Sequence, residues 1–180
     1  MLSADYSQVE LRILAHMSGD SGLIEAFENE ADIHRSTAAE VLGVPAEEVT
    51  SEQRRRAKAI NFGIVYGQTP FGLAQQLGIS LGEAEEFINR YFNRYPGVRD
   101  YIEDSLVEAR ETGITRTLYG RHRQIPEINS RNGMRRSMAE RMAINAPLQG
   151  TAADIIKLAM IRIAEELGER KLETRMVLQV

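Results

Sequence analysis

Apolar residues recur at helical spacing along most of the chain, which predicts a mainly helical protein. Three helix starts carry capping boxes, in which a hydroxyl group and a carboxylate or amide three residues later satisfy free N–H groups. These boxes are Ser7 with Glu10, Thr50 with Gln53, and Ser80 with Glu83. The helices that they open are expected to run through about Met17, Tyr66 and Tyr95. Further helical patterns cover residues 33–42, 98–112 and 131–168, and Pro147 should kink or divide the last of these helices.

Strand patterns are fewer than helical ones. They cover residues 1–5, 114–118, 122–125 and 174–180. The middle two flank Tyr119-Gly120 and are expected to pair as a hairpin. The predicted fold class is therefore α+β, predominantly helical. Because the last strand pattern stops without a turn, we expect the chain to be truncated in the middle of a sheet.

The composition limits the chemistry without defining it. Hydrophobic residues make up 43% and charged residues 27% of the chain, which is typical of a globular domain. The absence of cysteine excludes disulfides and thiolate metal sites, and leaves hard cations such as Mg²⁺ as candidates. No stretch approaches the ~18 apolar residues of a membrane span, and the first residues do not resemble a signal peptide. We expect a cytoplasmic protein with no membrane partner.

Charge is distributed unevenly along the chain, although the net charge is −4. Residues 114–141 carry seven arginines against two glutamates, and a second basic cluster lies at residues 54–58. Acidic residues gather elsewhere, for example at residues 100–111. Such segregation suits a groove that binds a polyanion, but solvated helix faces produce the same pattern. Charge by itself leaves both interpretations open.

Residues 5–12 are the first candidate functional segment. Asp5 stands at the junction between a short apolar segment and a capped helix. A carboxylate there can ligate Mg²⁺ together with the next backbone carbonyl. Asp5 could instead cap the helix, with Glu10 serving only as the capping-box partner of Ser7. The local pattern taken alone favours the capping role.

Residues 54–67 are the second candidate segment. Arg54, Lys58, Phe62 and Tyr66 are spaced by four, so two cations and two aromatic rings follow one face of a helix. This face could hold a nucleoside triphosphate, with the cations on the phosphates and the rings against base and sugar. An ordinary amphipathic helix gives the same stripe. Gly63 favours the binding site slightly, because glycine within a helix costs about 1 kcal/mol and suggests a close approach to its backbone.

The third candidate is a polar stripe of Arg141, Asn145 and Gln149, again spaced by four. Side chains of these types can hydrogen-bond the phosphates, sugars and minor-groove acceptors of a duplex. Considered alone, the stripe is equally compatible with an ordinary exposed helix face.

In this order, the three segments closely resemble the family A DNA polymerases, the bacterial polymerase I-like enzymes. Residues 5–12 are similar to motif A of the family, and residues 54–67 to motif B, the fingers helix. Residues 32–34, 119–121 and 145–154 resemble further family signatures. The resemblance spans essentially all 180 residues. It implies a partial palm sheet and a helical fingers subdomain of a right-hand polymerase, with residues 1–30 in the palm, 31–113 in the fingers and 114–180 returning to the palm.

The resemblance also implies a role for each matching residue. Asp5 would be catalytic and bind both Mg²⁺ ions, the Tyr6 carbonyl would be a further ligand, and Lys58 would be catalytic as well. Glu10 and Tyr66 would exclude ribonucleotides. The triphosphate would be held by Arg54, Lys58 and His34, and Phe62 would stack near base and sugar. Gln8 would belong to the nucleotide site and contact the template, primer or terminal pair. The other DNA contacts would be Tyr119, Arg121, Arg141, Asn145 and Gln149.

The expected activity is DNA-directed DNA synthesis in replication or repair, in the bacterial cytosol or nucleoid. The partners would be primer-template DNA and deoxynucleoside triphosphates, and the complete enzyme would be monomeric. The chain stops before the His-Asp-Glu turn of motif C, whose Asp is the second metal ligand, so we expect the isolated piece to be inactive. Two alternatives remain: a passive helical module that binds nucleic acid through its arginines, and a relative of the single-subunit RNA polymerases. Glu10 argues against the latter, because a steric block beside the sugar suits deoxynucleotide selection.

Overall fold

The computed structural model of the chain describes residues 3–177. Within them the chain forms eight α-helices, one short 3₁₀ turn at Ala46–Glu48 and one β-hairpin, in agreement with the predicted helix-dominated α+β class. The helices are α1 (Val9–Ser18), α2 (Ser21–Glu28), α3 (Ile33–Leu42), α4 (Ser51–Val65), α5 (Pro70–Leu77), α6 (Leu81–Arg94), α7 (Pro96–Thr112) and α8 (Gly133–Glu169). The strands are β1 (Ile114–Arg116) and β2 (His122–Gln124).

Two of the three predicted capping boxes are confirmed. At α4 the Thr50 hydroxyl accepts from the Gln53 N–H at 3.2 Å, and the Gln53 side chain accepts from the Thr50 N–H at 2.8 Å. Ser80 and Glu83 form the same box at α6. The box predicted at Ser7 is wrong. The N-cap of α1 is Gln8, in the left-handed conformation with φ of 55°, and it makes no side-chain cap bond. A capping side chain needs an extended N-cap backbone, which is absent here.

The helical pattern missed α2 and α5, which are only eight residues each. Two turns are too short to establish a period, yet both helices have strong caps. Asp20 Oδ1 accepts from the Leu23 N–H at 3.0 Å, and the Thr69 hydroxyl accepts from the Gly72 N–H at 3.2 Å. The capping residues, rather than the periodicity, were the usable signal.

Helix α8 continues through Pro147, so the prediction that this residue divides the helix is wrong. A proline inside a helix removes one hydrogen bond and costs about 3 kcal/mol. Here the residues on both sides of Pro147 are packed into the protein: Ala143 before it, and Leu148 and Thr151 after it, are fully buried. Burial on both sides stabilises the helical path past the proline. A kink at this position stays a prediction.

The central hairpin is confirmed, with strands shorter than predicted. Thr115 pairs with Arg123 in an antiparallel register, and Gly120 allows the turn through its φ of 79°. The strands predicted at the two ends of the chain are not formed in residues 3–5 and 174–177, and the rest of both predictions lies outside the described residues. A strand requires a hydrogen-bonding neighbour, and the described part of the chain provides only the hairpin pair.

The main core is built around α1, whose Leu11 and Leu14 are almost completely buried among residues of α2 to α8. A second cluster joins α7 to α8 through Ala109, Ile125 and Ala139. Helix α3 packs along α4, with Ala38 and Ala57 buried between them. This packing brings the first turns of α1 and α3 to the two ends of one face of α4, where the candidate site lies.

Candidate active site

We call Arg54, Lys58, Phe62 and Tyr66 on α4 the α4 stripe, and the last three of these side chains are in contact with one another. The rings of Phe62 and Tyr66 stack with centroids 5.9 Å apart. The Lys58 ammonium group lies 5.9 Å from the centre of the Phe62 ring. Phe62 also contacts the ring of His34 on α3, at 5.9 Å between centroids. The aromatic side chains are only partly buried and Lys58 is exposed, so this surface is open to a ligand.

His34 is held in a buried polar network behind the stripe. Its Nδ1 accepts a hydrogen bond from the Asn61 side-chain amide at 3.1 Å, and Asn61 in turn bonds the Thr37 hydroxyl at 3.0 Å. All three residues are buried. Burial, with repulsion from Arg54 and Lys58, lowers the pKa of His34 to about 4, although Asp32 acts in the opposite direction. The ring is therefore neutral at pH 7 and carries its proton on Nε2.

Arg54 is fixed by Asp32, the N-cap of α3. The guanidinium Nε donates to Asp32 Oδ2 at 2.6 Å, while Asp32 Oδ1 accepts from the backbone N–H groups of His34 and Arg35. Burial of Asp32 opposes its ionisation, but the bonds from Arg54 and from the two backbone groups outweigh it and lower the pKa of the carboxyl group. Asp32 therefore stays ionised at neutral pH.

A hydrogen bond closes the other end of the stripe. The Tyr66 hydroxyl donates to Glu10 Oε2 at 2.8 Å and so joins the end of α4 to the first turn of α1. Partial burial, together with the bond to Glu10 and its charge, raises the pKa of Tyr66 to about 12. The phenol is neutral at pH 7 and keeps its proton for this bond. The two residues lie 56 positions apart in the sequence.

Asp5 and Tyr6 lie in the segment that precedes α1, and both are exposed. Asp5 makes no hydrogen bond to another described residue, so the capping role that its local pattern favoured is not formed. Its free carboxylate oxygens and the neighbouring carbonyl are donors of the kind that Mg²⁺ accepts. Within residues 3–177, however, no group of three acidic or histidine side chains is arranged around a metal position. The Asp5 carboxylate and the Tyr6 carbonyl could therefore supply part of the ligand set of a magnesium site, but not all of it.

The polar stripe on α8, formed by Arg141, Asn145 and Gln149, lies beside the end of α4. Gly67, which has a φ of 60°, follows α4. A Cβ added to it would lie 3.4 Å from the Arg141 Cα, so the backbone after α4 and that of α8 are in close contact. Arg141 and Gln149 are exposed. Asn145 is partly buried, and its Oδ1 is shielded from solvent without a partner among the described residues. A buried acceptor without a partner is unusual in a folded protein and marks this position as a candidate for a further hydrogen bond.

The hairpin is docked on α8 through Arg121. Its guanidinium donates to the Gly150 carbonyl at 2.9 Å and to Asp154 Oδ1 at 3.0 Å, and the Leu118 N–H donates to the Thr151 hydroxyl. These contacts support the turn that exposes Tyr119, which is 55% accessible. Arg121, expected from the sequence to contact DNA, thus has an internal structural role as well.

Three of the seven arginines in residues 114–141 form ion pairs: Arg116 with Glu108, Arg121 with Asp154, and Arg135 with Glu127. The other four pair with no carboxylate of the described residues, and they are Arg123, Arg131, Arg136 and Arg141. An uncompensated basic surface remains between the hairpin and the start of α8. This surface is compatible with a polyanionic ligand.

No role was predicted from the sequence for Asp32, Asn61 or Thr37, although they hold Arg54 and His34 in place. Asp32 carried a recognisable signal, because an Asp before an apolar helical pattern is a strong N-cap. Asn61 and Thr37 carried none, since a polar residue inside a helix is equally common on an exposed face. At Gly63 an added Cβ would lie 2.7 Å from the Gln68 side-chain oxygen, so the close approach to its backbone comes from within the chain and does not by itself indicate a ligand.

The geometry describes a helix that presents cations and stacked rings and is joined to the first turn of α1 by the Tyr66–Glu10 hydrogen bond, and comparison with known proteins identifies the class. The family model "DNA polymerase family A" matches residues 1–180, and the chain belongs to this family. DNA polymerase I from Pseudomonas aeruginosa is 56% identical over 180 residues, which are 100% of this chain and 20% of that protein. DNA polymerase I from Bacillus subtilis is also 56% identical, with the same shares covered. The chain therefore spans about a fifth of the length of these relatives.

A solved structure is similar in three dimensions as well. It is the POL domain of Pol1 from M. smegmatis in complex with DNA primer-template and dNTP, at 50% identity and a TM-score of 0.94. The match covers 98% of this chain and 31% of that one. Among the described helices, none has the length and apolar character needed to cross a membrane.

Proposed function

We propose that this chain is part of the polymerase domain of a DNA-directed DNA polymerase that adds deoxynucleotides to a primer 3′ end and releases pyrophosphate. The observation that carries the proposal is the α4 stripe, which ends in the Tyr66–Glu10 hydrogen bond. Residues 1–30 would form part of the palm, residues 31–113 the fingers, and residues 114–180 the return to the palm. The relatives named DNA polymerase I support this assignment.

In this function the α4 stripe binds the incoming deoxynucleoside triphosphate. Arg54 and Lys58 neutralise the phosphates, and the charge of Lys58 also stabilises the negative charge that develops during phosphoryl transfer. His34 contributes a neutral donor from Nε2 rather than a cation, because its pKa is lowered to about 4. Phe62 offers its ring to the base and sugar, next to the ring of Tyr66.

Discrimination against ribonucleotides is assigned to Glu10 and Tyr66. Their 2.8 Å hydrogen bond ties both side chains together at the end of the stripe. A 2′-hydroxyl directed at this pair would meet filled space, and neither residue could move without breaking the bond. A deoxyribose leaves that position empty and avoids the clash.

Asp5 and the Tyr6 carbonyl would hold Mg²⁺ together with a second carboxylate supplied from outside residues 3–177. When bound, the two ions would activate the primer 3′ hydroxyl and neutralise the phosphates. The exposed Asp5 carboxylate, which has no hydrogen-bonding partner among the described residues, is suited to this role.

The DNA would lie along α8 and the hairpin. Arg141, Asn145 and Gln149, with Gln8 and Tyr119, would contact the primer, the template or the terminal pair, and Arg121 would support the turn. The nearby arginines that form no ion pair within residues 3–177 would attract phosphates. The enzyme would act as a monomer in replication or repair, in the bacterial cytosol or nucleoid.

Primer extension tests the proposal. The 180-residue chain and a form extended through the following polymerase segments are compared on a matched DNA template with Mg²⁺ and four deoxynucleotides. We expect the extended form to elongate the primer, the short form to be inactive, and Asp5→Ala to abolish elongation. An extended, folded form without activity would refute the proposal.

A second candidate is a passive nucleic-acid-binding module, favoured by the four arginines that lack ion pairs within the described residues. The triple variant Arg54→Ala, Lys58→Ala and Tyr66→Ala separates the two functions. A polymerase would lose affinity for triphosphate while its affinity for duplex DNA changed little. A passive module that binds through those four arginines would keep its duplex affinity and would show no triphosphate affinity before or after the substitutions.

A further inference from the structure

The Asp32 carboxylate connects two helices at the phosphate-binding end of the α4 stripe. One oxygen accepts from the backbone N–H groups of His34 at 3.1 Å and Arg35 at 3.2 Å. The other accepts from Arg54 Nε at 2.6 Å. One side chain thus ties the α3 backbone that carries His34 to the guanidinium on α4.

We propose that Asp32 is a positioning residue that holds Arg54 and His34 in the arrangement that receives the triphosphate. The inference rests on the proposed polymerase function and adds a residue that does not itself touch the nucleotide. Asp32 would act through Arg54, by fixing the direction of its guanidinium, and through His34, by fixing the first turn of α3.

The geometry of the ion pair supports positioning over blocking. A guanidinium is planar and has five N–H donors, of which one is on Nε and four are on the two Nη atoms. Asp32 engages Nε, and Arg54 makes no other side-chain hydrogen bond within residues 3–177. A partner on Nε fixes the plane of the group and leaves both Nη atoms free for a phosphate.

Stability alone does not account for this pair. The side chains of Arg54 and Asp32 are 39% and 36% exposed, and ion pairs at that exposure contribute little to stability. The pair also places a negative charge beside the proposed phosphate site, where it weakens binding by repulsion. The Arg54–Asp32 pair thus adds little to the stability of the fold and opposes phosphate binding by its charge. Its presence is explained if the pair orients the Arg54 guanidinium.

The network behind His34 completes the arrangement. The ring is held by Asn61, which also bonds Thr37, while the backbone at the same residue is held by Asp32. Ring and backbone are therefore fixed independently. Loss of the Asp32 charge should disturb Arg54 more than the ring of His34.

The test variant is Asp32→Asn in the full-length polymerase that contains this chain. Asparagine is as good an N-cap as aspartate, so its Oδ1 can still accept from the α3 backbone, but its Nδ2 cannot accept from Arg54. We expect the KM for deoxynucleotides to rise roughly 5- to 20-fold with kcat nearly unchanged, because binding of the triphosphate is weakened in ground and transition states alike. Asp32→Ser, another N-cap former, replaces this variant should it fail to fold.

Two comparisons isolate the positioning effect. In an Arg54→Ala background, Asp32→Asn should change KM no further, since the group that it orients is gone. Glu52→Gln is the matched control: it breaks the exposed pairs of the same helix with Arg55 and Arg56 and should leave KM unchanged.

Three results would overturn the inference. A lower KM for Asp32→Asn would mean that the carboxylate competes with the triphosphate. An unchanged KM would mean that the pair has no positioning role. An equal rise in the Arg54→Ala background would indicate a general effect on α3.

Calorimetric titration with a deoxynucleoside triphosphate separates failure of this inference from failure of the proposed function. If the unmodified protein binds triphosphate but does not extend primers, the proposed function fails and the titration of Asp32→Asn still decides the role of Asp32. If it neither binds nor extends, both fail. If the unmodified protein binds triphosphate and extends primers, and the Asp32→Asn protein does both equally well, only the inference about Asp32 fails.

Discussion

His34 shows how burial changes the chemistry of a single side chain. From the sequence it was expected to help hold the triphosphate, with no indication of its charge. The structure buries the ring against Phe62 and next to two cations, which lowers its pKa to about 4. At the proposed phosphate site a neutral donor would contribute direction rather than charge, and the charge would come from Arg54 and Lys58.

This burial predicts a pH effect on stability. Between pH 6.5 and about 4 the unfolded chain binds a proton at His34 that the folded chain does not, so stability falls as the pH is lowered through this window. The full loss amounts to roughly 3 kcal/mol below the folded pKa. Urea unfolding at a series of pH values should show this slope, and His34→Gln should remove it. An equal slope in the variant would contradict the lowered pKa.

The Glu10–Tyr66 pair predicts a change in sugar selectivity. Glu10→Ala should raise ribonucleotide incorporation relative to deoxynucleotide incorporation by roughly 10- to 200-fold, the range that one steric contact provides. The measurement is the ratio of kcat/KM values for a matched pair of nucleotides in the full-length protein. Glu25→Ala, which removes an exposed acid on α2, serves as the control and should leave the ratio unchanged. If the Glu10→Ala and Glu25→Ala proteins gave the same ratio of kcat/KM values, Glu10 would have no part in sugar selectivity.

At the scale of single elements, the helices with a long apolar period or a capping box were predictable from the sequence. Helix α3 was predicted with its observed bounds, and α4, α6 and α7 to within about two residues of theirs. The eight-residue helices were missed because two turns carry too little pattern. The capping box predicted for α1 was wrong because its N-cap, Gln8, adopts a left-handed conformation, which no residue pattern near it indicates.

The caps give a test at this scale. Thr50→Ala removes the hydroxyl that accepts from the Gln53 N–H, and should lower the free energy of unfolding by about 1 kcal/mol. Ser7→Ala is the matched comparison, and it should change stability by less than about 0.5 kcal/mol because Ser7 does not cap α1. Urea denaturation of both variants measures the difference. A comparable loss of stability in the Ser7→Ala protein would indicate that Ser7 does cap α1 and would contradict the structure.

At the scale of the whole molecule, the hairpin and α8 meet with little spare space. A Cβ added to Gly150 would lie 2.6 Å from the Thr117 Cγ2 and 3.2 Å from Arg121 Nη2. Because Thr117 is buried, the clash cannot be relieved by a small rotation into solvent. The glycine therefore sets the distance at which the hairpin docks on the helix.

Gly150→Ala should consequently destabilise the protein by about 1–3 kcal/mol and weaken the affinity for primer-template DNA by displacing Tyr119 and Arg121. Gly168→Ala lies in the same helix with nothing within 4 Å, and should be neutral or stabilising by up to about 1 kcal/mol. Thermal unfolding and fluorescence anisotropy with labelled duplex provide the two readouts. A Gly150→Ala protein as stable as the Gly168→Ala protein would show that the docking distance is not fixed.

The sequence by itself determined the family, the fold class, most long helices, the hairpin and the spacing by four that aligns Arg54, Lys58, Phe62 and Tyr66. These features depend on local spacing and capping, which are written into short segments. Only the tertiary structure decided that Tyr66 bonds Glu10, that Asp32 holds Arg54, that His34 is buried and neutral, and that α8 passes Pro147 unbroken. These outcomes depend on packing between segments far apart in the chain, where burial outweighs local preference.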